Sequence, residues 1–521
     1  MGDGSGLILG VSGLRGIVGE DLTPEVAVRY AGAVGTWFRE QVGDVLVPFL
    51  AVARDGRFGG EALYQCVCGA LRSAGCDVVE LDVAMTPTVG VIVDHLALDG
   101  ALILTASHNP QRWNGIKVLV SPDGFGVKRE DGTIDACAPN ATIAQELVDR
   151  YTAGSIVWRD NYITGDRRLT HSESSKAPGR HVEFVEDAIE RVFGERFRDL
   201  KKSESLKFKS VVVDSVNSSG VAAVEEMFHL PPVSCINVAG NRSGFFPHTP
   251  EPTAENLGQP GGLCDVVRGA GAIAGFAQDP DADRLAIVDE TGAYIGEEYT
   301  LVLCAMALME ARMGKGAGEG KPVFVVNLST SRMIDDVAKH YGGEVVRTAV
   351  GEANVVEAMK RLKGEGRDVV LGGEGNGGVI WPEVTYVRDS LSGMGLVLSL
   401  MARTGKSVSE LVGMVNGMGP TDEVRAQGYT ILKSKSGLAK KEDARPVVDH
   451  LAKVYGGDPS ARVDLQDGIR VDWDERGVWA HVRASNTEPI MRVIVEAPSS
   501  GEAERTAESI GAEIARLGEV E

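Results

Sequence analysis

Three stretches of the chain repeat one pattern. Residues 45–53 (VLVPFLAVA) are apolar and are followed by RDGRFGG, a helical stretch to Ser73, and VVELDV. Residues 211–213 (VVV) lead through DSVNSSG to a helix ending at Phe228 and then SCINVAG. Residues 323–326 (VFVV) lead through NLSTSR to a helix ending at His340, a Gly-Gly turn and EVVRTAV. Each reads as strand, polar loop, helix, strand. Two strands joined through a helix of about 10–15 residues form a βαβ crossover, because parallel neighbours cannot be linked by a tight turn. Three such units predict three similar α/β domains with mixed sheets. Each presents a polar loop at a strand's carboxyl end, where α/β sheets hold their ligands.

The C-terminal stretch breaks the pattern. GIRVDWDERGVWAHVRAS reads as two alternating strands around Asp474-Glu475-Arg476-Gly477, MRVIVEA as a third strand, and 501–517 as an amphipathic helix. A smaller α+β domain is expected there. The predicted division is 1–165, 180–290, 291–408 and 409–521, since 521 residues exceed what one hydrophobic core supports. HSESSKAPGR (171–180) and KSKSGLAKKED (433–443) read as linkers and KGAGEGKP (315–322) as an internal loop, all polar with Gly, Pro or Ser.

A formal net charge of −21 argues against a nucleic-acid partner, because affinity there comes from Lys and Arg neutralising phosphates. It leaves room for a small anionic ligand, which responds only to the local field. No apolar run approaches the roughly 20 residues of a membrane span, so no membrane partner is expected. No basic segment precedes the first apolar stretch, which argues against a signal peptide. The seven cysteines include no Cys-x-x-Cys pair and are expected to be free thiols in a reducing cytoplasm. No motif specifies an oligomeric state.

Four motifs carry chemistry. In LILTASHNPQRWNGIKVL (102–119) an apolar strand ends at Ser107, Asn109-Pro110 turns the chain, and Lys117 follows. A serine nucleophile needs a base. On an extended segment neighbours point to opposite sides, so His108 is read as structural and not as the base of Ser107. From these residues alone, an exposed loop serine and a catalytic one are equally compatible.

In AGFAQDPDADRLAIVDE (274–290), Asp279, Asp281 and Asp283 alternate and can reach one hard cation. A calcium loop of the EF-hand type would need Gly where Arg284 stands, and LAIVD reads as a strand. An octahedral Mg²⁺ site completed by an outside oxygen fits better.

In LGGEGNGGVIWPE (371–383), a glycine loop displays Glu374 and Asn376, groups suited to sugar hydroxyls, and a plain flexible turn fits equally well. No helix can follow, because Val379-Ile380 extends and Pro382 breaks it. In HVRASNTEPIMRV (481–493), Arg483, Ser485, Asn486, Thr487 and Arg492 gather donors that suit a phosphate dianion. Together the motifs point to phosphoryl transfer on a phosphorylated sugar.

TASHNP, the DxDxDR loop, the GExxGG-type loop and RASNTEP, in this order and together with SGLRG (12–16), resemble the alpha-D-phosphohexomutase family, which includes phosphoglucomutase, phosphomannomutase and phosphoglucosamine mutase. The resemblance implies three related α/β domains and a smaller α+β domain around a central cleft. It implies that Ser107 is a phosphoserine and that Asp279, Asp281 and Asp283 hold Mg²⁺ with an oxygen on Ser107. Phosphate then moves between O6 and O1 of a hexose phosphate through a sugar 1,6-bisphosphate. Arg284 corresponds to the family's arginine in the metal loop and Lys117 to a lysine suited to proton transfer at the reacting hydroxyl. Arg15, and Arg54 with Arg57, match arginines near the reacting phosphate. The loop Glu374-Gly375-Asn376-Gly377-Gly378 departs from the Gly-Glu-x-Ser-Gly-His of glucose and mannose enzymes. Glu352 follows Val350-Gly351 where those enzymes often have histidine. Both versions are more similar to phosphoglucosamine mutases, and Glu352 is a candidate neighbour for a 2-amino group.

Overall fold

The computed structural model describes residues 6–10, 13–43, 46–122, 134–159, 168–169, 171–314, 320–438, 440–485 and 489–518. The chain forms two compact units, Met1–Ala317 with Val370–Ser409, and Gly318–Val369 with Glu410–Glu521.

The first sheet of the first unit contains β1 (Ile8–Gly10), β2 (Gly13–Ile17), β3 (Phe49–Arg54), β4 (Asp77–Val83), β5 (Gly100–Leu104), β6 (Trp113–Val120) and β7 (Arg168–Leu169). Their order is β1-β2-β6-β5-β3-β4-β7. The strands β5, β3, β4 and β7 run parallel, whereas β6 returns antiparallel against β5 and β2 against β6. β5 is buried along its whole length, as a central strand covered on both faces requires, and this explains its unbroken apolar sequence. Gly115 in β6 sits where a Cβ would meet the carbonyls of Leu14 at 2.4 Å and Thr105 at 2.7 Å. Only glycine lets β2 and the end of β5 approach β6 this closely. The helix Pro24–Val42 packs beside them; Thr23 caps it by accepting the Val26 N–H, and proline opens it.

The second sheet is β8 (Ser210–Asp214), β9 (Ser234–Asn237), β10 (Ala274–Gln278) and β11 (Leu285–Val288), in the order β11-β10-β8-β9. β8, β9 and β10 are parallel and β11 antiparallel. Next come β12 (Pro322–Asn327), β13 (Glu344–Thr348), β14 (Asp368–Glu374) and β15 (Gly378–Ile380). In the second unit β12 and β13 pair in parallel. β14 and β15 form an antiparallel hairpin that closes in the first unit. All three sequence repeats therefore fold as βαβ units, through the helices Gly60–Ser73, Gly220–Phe228 and Met333–His340.

The C-terminal sheet is antiparallel: β16 (Thr430–Gly437), β17 (Arg462–Asp464), β18 (Ile469–Trp473), β19 (Val478–Ala484) and β20 (Ile490–Ala497), in the order β16-β20-β19-β18-β17. One face packs on the helices Ala444–Gly456 and Ser500–Gly518 through Val447, Leu451, Ile510 and Ile514. On the other face Arg470 is buried over the Trp479 ring, 4.1 Å from its centroid, and donates to the carbonyls of Leu328 (2.6 Å) and Thr330 (3.0 Å). The architecture is three α/β domains followed by an α+β domain, as the repeats predict.

Two linker expectations are corrected. HSESSKAPGR lies within the helix His171–Phe193 despite Pro178. Its buried stripe, Ala177, His181, Val182, Val185 and Ile189, outweighs the local breaking tendency. Residues 433–437 belong to β16, which pairs with β20 along eight positions. Residues 315–319 and 439 lie outside the described residues.

Candidate active site

Ser107 follows the end of β5 by three residues and is 2% exposed. Its φ is +50°, a left-handed conformation that side chains rarely adopt. Consequently the segment is not extended, and the premise that sends His108 to the other side fails: Ser107 Oγ lies 3.3 Å from His108 Nδ1. Burial, followed by the charges of Arg284 and Arg15, pushes the His108 pKa down to about 3, so the ring is neutral. The stronger contact of Ser107 is elsewhere. Its Oγ donates to Asp279 Oδ2 at 2.8 Å.

Asp279, Asp281 and Asp283 occupy the turn between β10 and β11 and are all fully buried. Ala282 at φ +55° bends the turn so that the three carboxylates converge, with one oxygen of each within 4.8 Å of the others. Asp281 Oδ2 accepts from Thr86 Oγ1 (2.8 Å) and Lys117 Nζ (2.5 Å). Asp283 Oδ2 accepts from Lys117 Nζ (2.9 Å) and Arg388 Nη2 (2.6 Å). The second oxygens of both, Asp281 Oδ1 and Asp283 Oδ1, are buried without a hydrogen-bond partner. Orphaned buried carboxylate oxygens are costly, and a hard cation bound by Asp279, Asp281, Asp283 and an oxygen on Ser107 would satisfy them. The donor set fits Mg²⁺.

The electrostatics divide the triad. Burial and the two neighbouring carboxylates hold the Asp279 pKa well above the ordinary range. Burial acts on Asp283 in the same sense but is outweighed by Arg388, Lys117 and Arg284, so its pKa is lowered. For Lys117 burial favours the neutral amine, yet Asp281 and Asp283 prevail and its pKa is raised. Arg284 stands beside the triad, its Nε 4.0 Å from Asp283 Oδ1 and its backbone N–H 3.2 Å from Asp279 Oδ1. Arg15 on β2 lies opposite Gly115 of β6 and is within the field of Asp281, Asp283, Arg284 and Arg388. Four cations thus surround the carboxylates, an arrangement matched to a phosphoryl group.

Glu374 ends β14 and is buried; its Oε2 accepts from Arg388 Nη1 at 2.7 Å. Asn376 follows in the turn, its Nδ2 3.4 Å from that same oxygen and its Oδ1 accepting from the Gly378 N–H. The carbonyl of Gly377, at φ +81°, accepts from the Leu285 N–H, which joins the glycine loop to the exit strand of the metal loop. The first unit therefore brings together Arg15, Ser107, Lys117, the aspartate triad, Arg284, Glu374 and Asn376.

In the second unit Arg483 of β19 lies directly opposite Arg492 of β20, and Ser485 donates its N–H to the Ile490 carbonyl. Like charges directly opposite across strands are unfavourable on their own. Asn486 and Thr487 fall outside the described residues. Glu352 is the first residue of the helix Glu352–Gly364, after Gly351 at φ +127°.

The two arginines of ARDGR are both ion-paired. Arg54 pairs with Asp82 and Glu61. Arg57 is buried, pairs with Asp55 and donates to backbone carbonyls of the Ser107 turn. Arg388, Thr86 and Thr105 escape sequence reading. Asp389, next to Arg388, caps the helix Ser390–Thr404 by accepting from the N–H groups of Leu391 and Ser392.

Family models cover most of the chain: "Phosphoglucomutase/phosphomannomutase, alpha/beta/alpha domain I" at residues 6–142, domain II at 183–292, domain III at 297–416 and the "C-terminal domain" at 436–512. A "Phosphoglucomutase/phosphomannomutase" of Thermococcus kodakarensis is 32% identical over 96% of each chain. A "Probable phosphoglucosamine mutase" of Methanopyrus kandleri is 32% identical over 95% of this chain and 94% of its own. A crystal structure of a phosphoglucomutase/phosphomannomutase family protein from Burkholderia thailandensis shares the fold with a TM-score of 0.73, at 22% identity over 97% of this chain and 96% of that one. With all four domains matched and relatives of full length, this chain belongs to the alpha-D-phosphohexomutase family.

Proposed function

We propose that the protein is an Mg²⁺-dependent phosphoglucosamine mutase of the cytoplasm, converting glucosamine-6-phosphate to glucosamine-1-phosphate. The reading is carried by one observation: the hydroxyl of Ser107 is hydrogen-bonded to a buried aspartate of a triad that still has unpartnered oxygens. Ser107 carries the transferable phosphoryl group. A hydroxyl of the sugar monophosphate attacks phosphorus, the bond from phosphorus to Ser107 Oγ breaks, and a sugar 1,6-bisphosphate results. After the bisphosphate turns over, its other phosphate returns to Ser107. Mg²⁺ held by Asp279, Asp281, Asp283 and an oxygen on Ser107 would neutralise charge on the phosphoryl oxygens.

Arg15, Arg284 and Arg388 supply further positive charge around the triad. Lys117 is the amine nearest the carboxylates and can take the hydroxyl proton once its two partners are otherwise neutralised. Glu374 and Asn376 read the sugar hydroxyls, and Arg483, Ser485, Asn486, Thr487 and Arg492 bind the phosphate that is not reacting. The glucosamine preference rests on the Glu374–Gly378 loop and on Glu352, and is supported by the name of the Methanopyrus relative. The name of the Thermococcus relative supports a second reading, action on glucose or mannose phosphates.

Intact-mass analysis tests the carrier. One phosphoryl group on Ser107, lost on incubation with sugar monophosphate, is expected; its absence even after incubation with sugar 1,6-bisphosphate would overturn the reading. Parallel assays of glucosamine-, glucose- and mannose-6-phosphate decide the substrate.

A further inference from the structure

Resting on that reading of Ser107, we propose that Arg57, acting with Asp55 and Thr105, is a positioning residue that sets the backbone of the phosphoryl-carrying serine. A non-glycine residue at φ +50° is disfavoured and persists only where its surroundings impose it. Both backbone groups of Ser107 are held by side chains traceable to one turn, Asp55-Gly56-Arg57. On one side Thr105 Oγ1 accepts the Ser107 N–H at 2.9 Å and donates its own hydrogen to Asp55 Oδ2 at 2.8 Å. On the other, Arg57 Nη2 donates to the Ser107 carbonyl at 2.9 Å.

The remaining donors of Arg57 extend the hold along the turn. Nη1 faces the carbonyls of Pro110 (3.2 Å) and Trp113, and Nε pairs with Asp55 at 3.0 Å. The guanidinium also lies over the Phe246 ring, 5.3 Å from its centroid. Arg57 is 1% exposed and Asp55 0%, so the pair is locked. A planar fork can serve several carbonyls at once while pairing with a carboxylate; an ammonium cannot. The consequence is geometric. With the backbone fixed, Oγ of Ser107 is directed at Asp279 Oδ2, and the phosphoryl group starts beside the metal carboxylates. A displacement of about 1 Å at such a site costs on the order of 100-fold in rate.

The test uses the full-length protein with Arg57→Lys, Thr105→Val and Thr105→Ser. Thr105→Val removes a single hydroxyl and keeps the shape, so it serves where Arg57→Lys unfolds. Arg57→Lys and Thr105→Val are expected to lower kcat about 10- to 100-fold, with KM for sugar monophosphate within about twofold, because neither side chain is assigned to the sugar. Thr105→Ser, which keeps the hydroxyl, restores kcat. Hydrogen exchange at the Ser107 amide reads the same claim without turnover: protection is lost in Thr105→Val and retained in Thr105→Ser. A Thr105→Val enzyme with wild-type kcat, a loss shared by Thr105→Ser, or equal amide protection in all variants overturns the proposal. Failure of the carrier reading is distinct, since it shows as missing phosphoryl on Ser107 of the wild-type protein.

Discussion

Asp283 and Glu374 share one guanidinium: Arg388 Nη2 lies 2.6 Å from Asp283 Oδ2, and Nη1 lies 2.7 Å from Glu374 Oε2. The cation binds the metal loop to the glycine loop, and both carboxylates are buried. Removing one partner of a buried charge network leaves the others uncompensated, at about 3–5 kcal/mol. Arg388→Met is therefore expected to lower the thermal midpoint by several degrees and to reduce turnover together with sugar affinity. Arg388→Lys, which has no second nitrogen to span both acids, recovers only part of either. Thermal unfolding and steady-state kinetics on the two variants check this; a Lys variant equal to wild type in both would show that the bridge is dispensable.

The aspartate triad predicts opposite effects of one substitution with and without metal. Without a cation, burial together with Asp283 and Asp281 raises the Asp279 pKa well above the ordinary range, so its ionised form is disfavoured in the fold. Asp279→Asn carries no charge and removes that penalty, so in chelator the variant should unfold at or above the wild-type midpoint. With Mg²⁺ present the wild type gains stability by binding the ion, whereas the variant has lost a ligand and gains little. Differential scanning fluorimetry in EDTA and in excess Mg²⁺ measures both arms. A variant that is less stable than wild type in chelator contradicts the repulsion argument.

Glu352 offers a test of sugar choice. It opens the helix Glu352–Gly364, where a carboxylate is favoured by the helix dipole whatever its function. If it also faces a 2-amino group, Glu352→Gln should narrow the ratio of kcat/KM for glucosamine-6-phosphate over glucose-6-phosphate by about tenfold, mainly through KM of the amino sugar. A ratio unchanged from wild type would leave Glu352 with only its helix-end role.

The fold was legible because its determinants are local. The apolar runs, the loops and the helices of the three repeats lie within about forty residues each, and each fixes its own βαβ unit. The convergence of the aspartate triad was legible for the same reason: three carboxylates at alternate positions can reach one point without help from the rest of the chain. What escaped depends on distant chain segments or on backbone conformation. Arg388 acquires its role by meeting Asp283 and Glu374, residues 105 and 14 positions away. The resemblance set Arg57 near the reacting phosphate, but that its donors go to carbonyls of the Ser107 turn depends on how that turn folds. His108 was sent to the wrong side of the chain because nothing in TASHNP specifies a left-handed serine. The 171–180 linker reading failed because a buried face prevailed over local Pro, Gly and Ser content.

The second unit carries a carboxyl group whose charge should set part of its pH stability. Asp336, on the helix Met333–His340, accepts from the Tyr429 hydroxyl at 2.7 Å. Burial raises its pKa from an ordinary 3.8 to about 6, against the opposing effects of Tyr429 and Arg332. The folded state thus keeps this proton up to about pH 6, whereas the unfolded chain releases it near 3.8. Between those values the folded state binds more protons, so the contribution is stabilising at low pH and is lost as pH rises through 6. At about 1.4 kcal/mol per unit, the loss is on the order of 2–3 kcal/mol. Asp336→Asn cannot ionise and can still accept from Tyr429. Its stability relative to wild type should therefore rise between pH 4 and pH 7 and stay level above pH 7, as read from denaturant midpoints across that range. A gap that does not change with pH would mean that Asp336 titrates alike in both states.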